Sequence, residues 1–191
     1  MLKNSTALFI NSYYEMKKIT TITVTAMFAA LSVICGYFTI VIGDTIKIGF
    51  STIANQFVYF LFGPVVGCLF GGATDIIKYL ARPTGAFFPG WTVSAMLAGL
   101  LYGLFYYGKP LGFRRILAAE FVVSLICNII LGTFWLHLMY GKAFFLLLPG
   151  RAFKNLVMWP VNAMLFYTLG KTMESTAVVK SIRRNGGLRG K

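Results

Sequence analysis

Long apolar runs with few or no charges alternate along this chain with short basic or glycine- and proline-rich breaks. Five runs stand out: 19–43, 50–74, 86–107, 115–138 and 143–170. Each exceeds the about 18 residues at which an apolar run reads as a membrane span. The second carries Gly63-Pro64 near its middle. Proline removes a backbone donor and clashes with the preceding turn, so this run is either one kinked span or two short helices joined at that dipeptide.

The placement of Lys and Arg decides between the two, because cytoplasmic loops carry an excess of both. With the N-terminus in the cytoplasm, five spans place eight of these cations inside and ten outside, and export the basic tail 180–191. Six spans place twelve inside: Lys3, Lys17, Lys18, Lys109, Arg114, Arg115, Lys171, Lys180, Arg183, Arg184, Arg189 and Lys191. Six then fall outside: Lys47, Lys78, Arg82, Lys142, Arg151 and Lys154. The sequence therefore predicts an all-α integral membrane protein, a compact bundle of six transmembrane helices with outer lid loops. The helices are expected at 19–43, 48–62, 64–82, 90–107, 113–139 and 149–173. Residues 1–18 form a cytoplasmic N-terminal segment, 19–173 the membrane domain and 174–191 a basic cytoplasmic tail. No helical pattern is evident in 1–16. The first apolar run is too long for the core of a cleavable signal peptide.

Composition sharpens this picture. Of 191 residues, 58% are hydrophobic and 12% charged, with a mean hydropathy of +0.75; soluble domains carry about 25% charged residues. The net charge of +13 invites a nucleic-acid reading, but the cations sit in loops and tails between apolar runs, which suits membrane topology better. Cys35, Cys68 and Cys127 are isolated in apolar segments and lack metal-ligand spacing. They read as small buried apolar residues.

The outer cations hold the candidate chemistry. Asp75, Lys78 and Arg82 fall at i, i+3 and i+7, one helix face, with Tyr79 beside them. Arg151, Lys154 and Asn155 share a face at the expected start of the last helix, where the helix dipole is positive. Charges in a spanning segment face the bundle interior or a water-filled cavity, so two basic faces aimed at one outer cavity make an anion site. Snorkelling to outer headgroups is the competing reading. For Asp75 it is an internal salt bridge with Lys78. The segment 82–91, with two prolines and two glycines, is expected to be irregular. It is a lid candidate carrying Phe87, Phe88 and Trp91, or else part of an interfacial aromatic belt. Asn128 and Trp135 are further candidates, and His137 reads as interfacial. Ala26 and Ala30 form a small stripe on the first helix. Gly63, Gly67 and Gly71, and Gly99 with Gly103, make similar stripes that suit internal packing.

Enzyme signatures are missing. Gly103 through Lys109 resembles a phosphate-binding loop, but Pro110 stands where Ser or Thr must reach magnesium. Five acidic residues and one histidine provide poorly for acid–base or metal chemistry. No cofactor or metal is called for.

Several of these segments carry a resemblance. The stretch Thr25-Ala26-Met27-Phe28-Ala29-Ala30-Leu31, the run Gly71-Gly72-Ala73-Thr74-Asp75, the stretch Phe87-Phe88-Pro89-Gly90-Trp91 and the segment Leu148 through Asn155 resemble the substrate-binding S components of energy-coupling-factor (ECF) vitamin importers. The resemblance covers about residues 17–173 and is nearest the folate-specific member. It implies a bacterial multi-pass membrane protein, with both termini cytoplasmic, that binds folate from outside. It also implies docking through Ala26 and Ala30 on a membrane coupling (T) subunit driven by two cytoplasmic ATPases. In that setting Asp75 would pair with the pterin donor edge and Trp91 would stack on the ring. Arg151, Lys154, Lys78 or Arg82 would hold the glutamate carboxylates, with Asn128 and Asn155 nearby. Other readings are an S component for another flat or anionic solute, a small membrane enzyme acting on lipid headgroups, and a scaffold whose basic tail binds anionic lipid.

Overall fold

The computed structural model describes residues 2–38, 40–42, 46–48, 51–83, 87–141 and 144–175. The expected basic tail from residue 176 on lies outside the described residues, as do Lys142 and the 84–86 part of the expected lid. The side chain of Lys47 also lies outside them. The elements are helices α1 (Leu2–Met16) and α2 (Ile19–Tyr37), strands β1 (Ile40–Ile42) and β2 (Ile46–Ile48), and helices α3 (Ser51–Ala81), α4 (Pro89–Tyr106) and α5 (Phe113–Val123). A π-helical segment (Ser124–Leu131), α6 (Gly132–Tyr140) and α7 (Phe144–Ser175) complete the chain. Helix dominates, and the one departure from an all-α chain among the described residues is the antiparallel β1–β2 ribbon, in register Ile40 to Ile48. The first spanning helix was expected to run to residue 43 but ends at Tyr37. The β-branched residues Ile40, Val41 and Ile42 pair as a strand instead, in line with their propensity.

Helix α3 breaks at Gly63, whose φ of 86° and ψ of −168° only glycine adopts without strain. The break is a reversal. The Tyr59 ring lies 6.2 Å from the Phe70 ring, whereas eleven residues of straight helix would separate them by about 16 Å. The arms 51–62 and 64–81 therefore fold back on each other. Pro64 opens the second arm, where its missing N–H costs nothing. Two of the next amides, Val65 and Val66, are satisfied from α1: both donate to Ser12 Oγ, at 3.1 and 3.3 Å. The same hydroxyl donates to the Phe62 carbonyl at 2.7 Å. Residues 1–16, which show no helical pattern in sequence, are thus helical from Leu2 and clamp this turn.

The second arm of α3 packs antiparallel to α4 through small residues. A Cβ at Gly67 would stand 2.7 Å from the Gly99 carbonyl oxygen, and one at Gly103 would meet the Pro64 backbone at 2.5 Å. Asp75 meets Thr92 further along the same seam. The glycine stripes are therefore internal packing surfaces, where missing side chains let backbones touch. Helix α2 runs antiparallel to the first arm, with Phe28 on Phe57 and Ser32 donating to Asn55 at 2.6 Å. The continuous rod α5–π–α6 runs antiparallel to α4, and α7 antiparallel to that rod, with Phe113 on Tyr167 and Phe121 on Trp159. Six rods thus alternate between two ends of the molecule: α2, the two arms of α3, α4, α5–π–α6 and α7.

Among the described residues, and by length and composition alone, three stretches are apolar enough for a membrane: Ile19–Tyr37, Phe113–Met139 and Ser51–Ala81, the last divided by the reversal at Gly63 into two shorter arms. The core lies on α3, where Phe57, Val58, Phe60 and Phe62 are buried with Tyr102, Tyr106, Ile116 and Phe166. Within it, Gln56 Nε2 and the Tyr102 hydroxyl both donate to the buried Glu120 carboxylate, at 2.5 and 2.9 Å. This polar knot ties α3, α4 and α5 together.

Candidate functional site

The starts of α4 and α6 and the early turns of α7 converge at the end of the bundle that also holds the C-terminal end of α3. Phe88 is the N-cap of α4 and Pro89 opens it, which fixes where Trp91 and Thr92 emerge. Thr92 donates to Asp75 Oδ2 at 2.8 Å. This cross-helix bond, and not a salt bridge along α3 to Lys78, is the partner of the half-buried Asp75. Only one carboxylate oxygen is so engaged, and an ionised carboxylate has about four acceptor sites.

Arg151, on α7, places its guanidinium 5.8 Å from the centre of the Trp91 ring. It also donates to the Gly132 carbonyl at 3.1 Å. The cation is thereby held between an aromatic face and a fixed backbone oxygen, which leaves donors of its fork for an anion. Asn155 Nδ2 donates back to the Arg151 carbonyl at 2.9 Å and is buried, so it braces α7 locally. Lys154 and Lys78 are half-buried.

Other expected residues fall elsewhere. Arg82 is exposed and donates to the Tyr37 carbonyl at 3.2 Å, tying the end of α3 to the end of α2. Asn128 is exposed on the π segment. Of the lid aromatics, Phe87 packs on Tyr79 at 5.0 Å and Phe88 on Trp135 at 5.5 Å. Trp135 in turn donates to Ser94 at 2.8 Å, so it braces α6 against α4. The expected start of the last helix at 149 needs correction: α7 begins at Phe144 and continues through Pro149 and Pro160. Arg151 is therefore about two turns into the helix, and the dipole at its start, which acts within the first turn, contributes little there.

Ala26 and Ala30 lie exposed on α2 with Ile22, Met27, Leu31 and Ile34, while Phe28 and Ser32 face α3. At the opposite end from Asp75 and Arg151, a shallow apolar groove of about 480 Å³ is lined by Phe9, Ile10, Tyr13, Tyr14 and Val65. Among the described residues that line it, none is charged.

Thr92, Ser94 and Gly132 escape a sequence reading. Each acts across a helix interface, and nothing local marks it. Glu120 carried a signal that went unused: an acidic residue inside a long apolar run usually has a buried partner.

Comparison with known proteins gives concordant matches. Residues 20–170 match the family described as "ECF transporter, substrate-specific component". The folate transporter FolT of Clostridium novyi is 28% identical over 169 residues, covering 88% of this chain and 98% of that protein. The folate transporter FolT of Leuconostoc mesenteroides is 30% identical over 132 residues, covering 66% of this chain and 71% of that protein. A crystal structure of FolT bound with folic acid superposes with a TM-score of 0.75 at 30% identity, covering 81% of this chain and 95% of that one.

Proposed function

We propose, from the premise that this chain belongs to the family of ECF transporter substrate-specific components, that it is the membrane subunit that captures folate outside the cell. The observation that carries the reading is the convergence at one end of the bundle of a guanidinium held over an indole and a carboxylate on the facing helix. Folate offers the complementary groups: a flat pterin with N–H donors, an aromatic linker, and a glutamate with two carboxylates. Asp75 accepts from the pterin donor edge, Trp91 offers its face to the ring, and Arg151 with Lys154 and Lys78 takes the carboxylates. Asn155 supports Arg151 from below. The relatives' names and the folic acid in the FolT structure support this choice of solute.

The six alternating rods act as six transmembrane helices of a bacterial cell membrane protein, with both termini in the cytoplasm. The first arm of α3, residues 51–62, is only about 18 Å long, short of the roughly 30 Å hydrocarbon core. It is covered by its neighbours, its apolar residues being almost all buried. The chain has no ATPase site of its own. A membrane T subunit and two cytoplasmic ATPases supply the energy, and the exposed Ala26–Ala30 face of α2 meets the T subunit.

Uptake of radiolabelled folate tests the reading in cells that lack other folate import. Accumulation is expected when this chain is produced together with the coupling and ATPase subunits, and not with either part alone. ATP-independent accumulation by this chain alone would contradict it.

A further inference from the structure

Gly132 opens α6 directly after the π-helical segment. Its carbonyl oxygen accepts from Arg151 Nη1 at 3.1 Å. A Cβ built at this position would stand 2.7 Å from Arg151 Nη2 and 3.2 Å from its Cζ, and next 3.4 Å from the Cys127 carbonyl. The first contact is closer than a real Cβ tolerates and the second is tighter than most, while the third is ordinary packing. The guanidinium therefore sits where a side chain at 132 would begin, and it reaches the Trp91 face from that seat. π-Helical geometry inside an α-helical rod is rare and, where it occurs, frequent at functional sites. Here the segment delivers a bare backbone to the arginine.

We propose that Gly132 is a specificity-determining positioning residue: by lacking a side chain it seats the Arg151 guanidinium against the backbone, aimed so that its fork engages the carboxylate end of the solute. This rests on the reading of Arg151 as a carboxylate ligand. Any side chain at 132 displaces the fork without breaking the helix, because the atoms it meets first are the far end of a flexible side chain. Recognition of the ring end, through Asp75 and Trp91, stays intact.

The test is a two-by-two set, wild type, G132A, R151A and the double variant, titrated by tryptophan quenching with folate and with pteroate, which lacks the glutamate. Melting temperatures are taken in parallel. G132A is expected to weaken folate about tenfold or more and to leave pteroate within about twofold. The double variant is expected to bind folate no more weakly than R151A, since the penalty at 132 acts only through the arginine. A G132A protein that folds only when Arg151 is also removed would show that the fork is not displaceable, and would overturn the inference. Unchanged folate binding in G132A, an equal loss for pteroate, an additive loss in the double variant, or failure of both G132A proteins to fold would each overturn it. Unchanged folate affinity in R151A would instead overturn the carboxylate assignment of Arg151.

Discussion

Asp75 and Arg151 lie at the same end of the molecule but are held differently. Asp75 is held by one hydroxyl across a helix interface, and Arg151 by a backbone oxygen and a ring face. A hydrogen bond to a charged group contributes about 1.5–3 kcal/mol, and each 1.4 kcal/mol is about tenfold in affinity. Asp75→Asn and Arg151→Ala are thus each expected to weaken folate about 10- to 100-fold in fluorescence titrations, with melting temperatures near wild type. Wild-type affinity in either variant would remove that residue from the site. Glu120 makes a different prediction, because it is buried with two donors, Gln56 and Tyr102, inside the core. Glu120→Ala leaves Gln56 and Tyr102 unpaired, at about 1–3 kcal/mol for each orphaned group. A clear drop in the melting temperature of the purified protein is expected, and a smaller one in Glu120→Gln, which keeps an acceptor oxygen. Equal stability of all three proteins would contradict the knot. Charged residues standing in apolar runs made Asp75 and Arg151 legible in the sequence. Their holders were not: Thr92 and Gly132 are ordinary residues whose roles exist only across helix contacts.

At the scale of elements, the reversal in α3 depends on a device supplied by another helix. Gly63 permits the backbone and Pro64 starts the second arm, yet Val65 and Val66 would still lack acceptors without Ser12. Losing a side-chain cap of this kind costs about 1 kcal/mol, and more where the group it leaves is buried. Ser12→Ala is expected to lower the melting temperature, and Ser12→Thr to restore much of it; a wild-type melting curve for Ser12→Ala would show that α1 does not clamp the turn. The reversal itself could be read from sequence because Gly-Pro acts locally and the cation count favoured an extra span. Helix α1 could not, since the Ser12 hydroxyl pairs with residues about fifty positions away. The end of α2 and the start of α7 were misplaced for a related reason. Apolar composition does not separate a β-branched strand from the end of a helix at 40–42. Nor does the proline at 149 end α7, which runs through it from Phe144.

For the whole molecule, six alternating rods bring a polar cluster to one end and leave an exposed small-residue face on α2. Because these lie on different surfaces, the proposed function assigns capture and coupling to separate sets of residues. Ala26→Trp with Ala30→Trp fills the α2 face with bulk, at positions that are exposed and outside the site. The double variant is expected to bind folate as wild type does and to lose nearly all ATP-dependent uptake when produced with the coupling module. Undiminished uptake would place the coupling face elsewhere.

Recognition of folate at this end of the bundle can be read by titrating the detergent-purified full chain. Quenching of its tryptophans by folic acid is expected to saturate at one ligand per chain, with riboflavin giving no saturable response under the same conditions. A folded, monodisperse protein that ignores folic acid, or binds riboflavin equally well, would contradict the account.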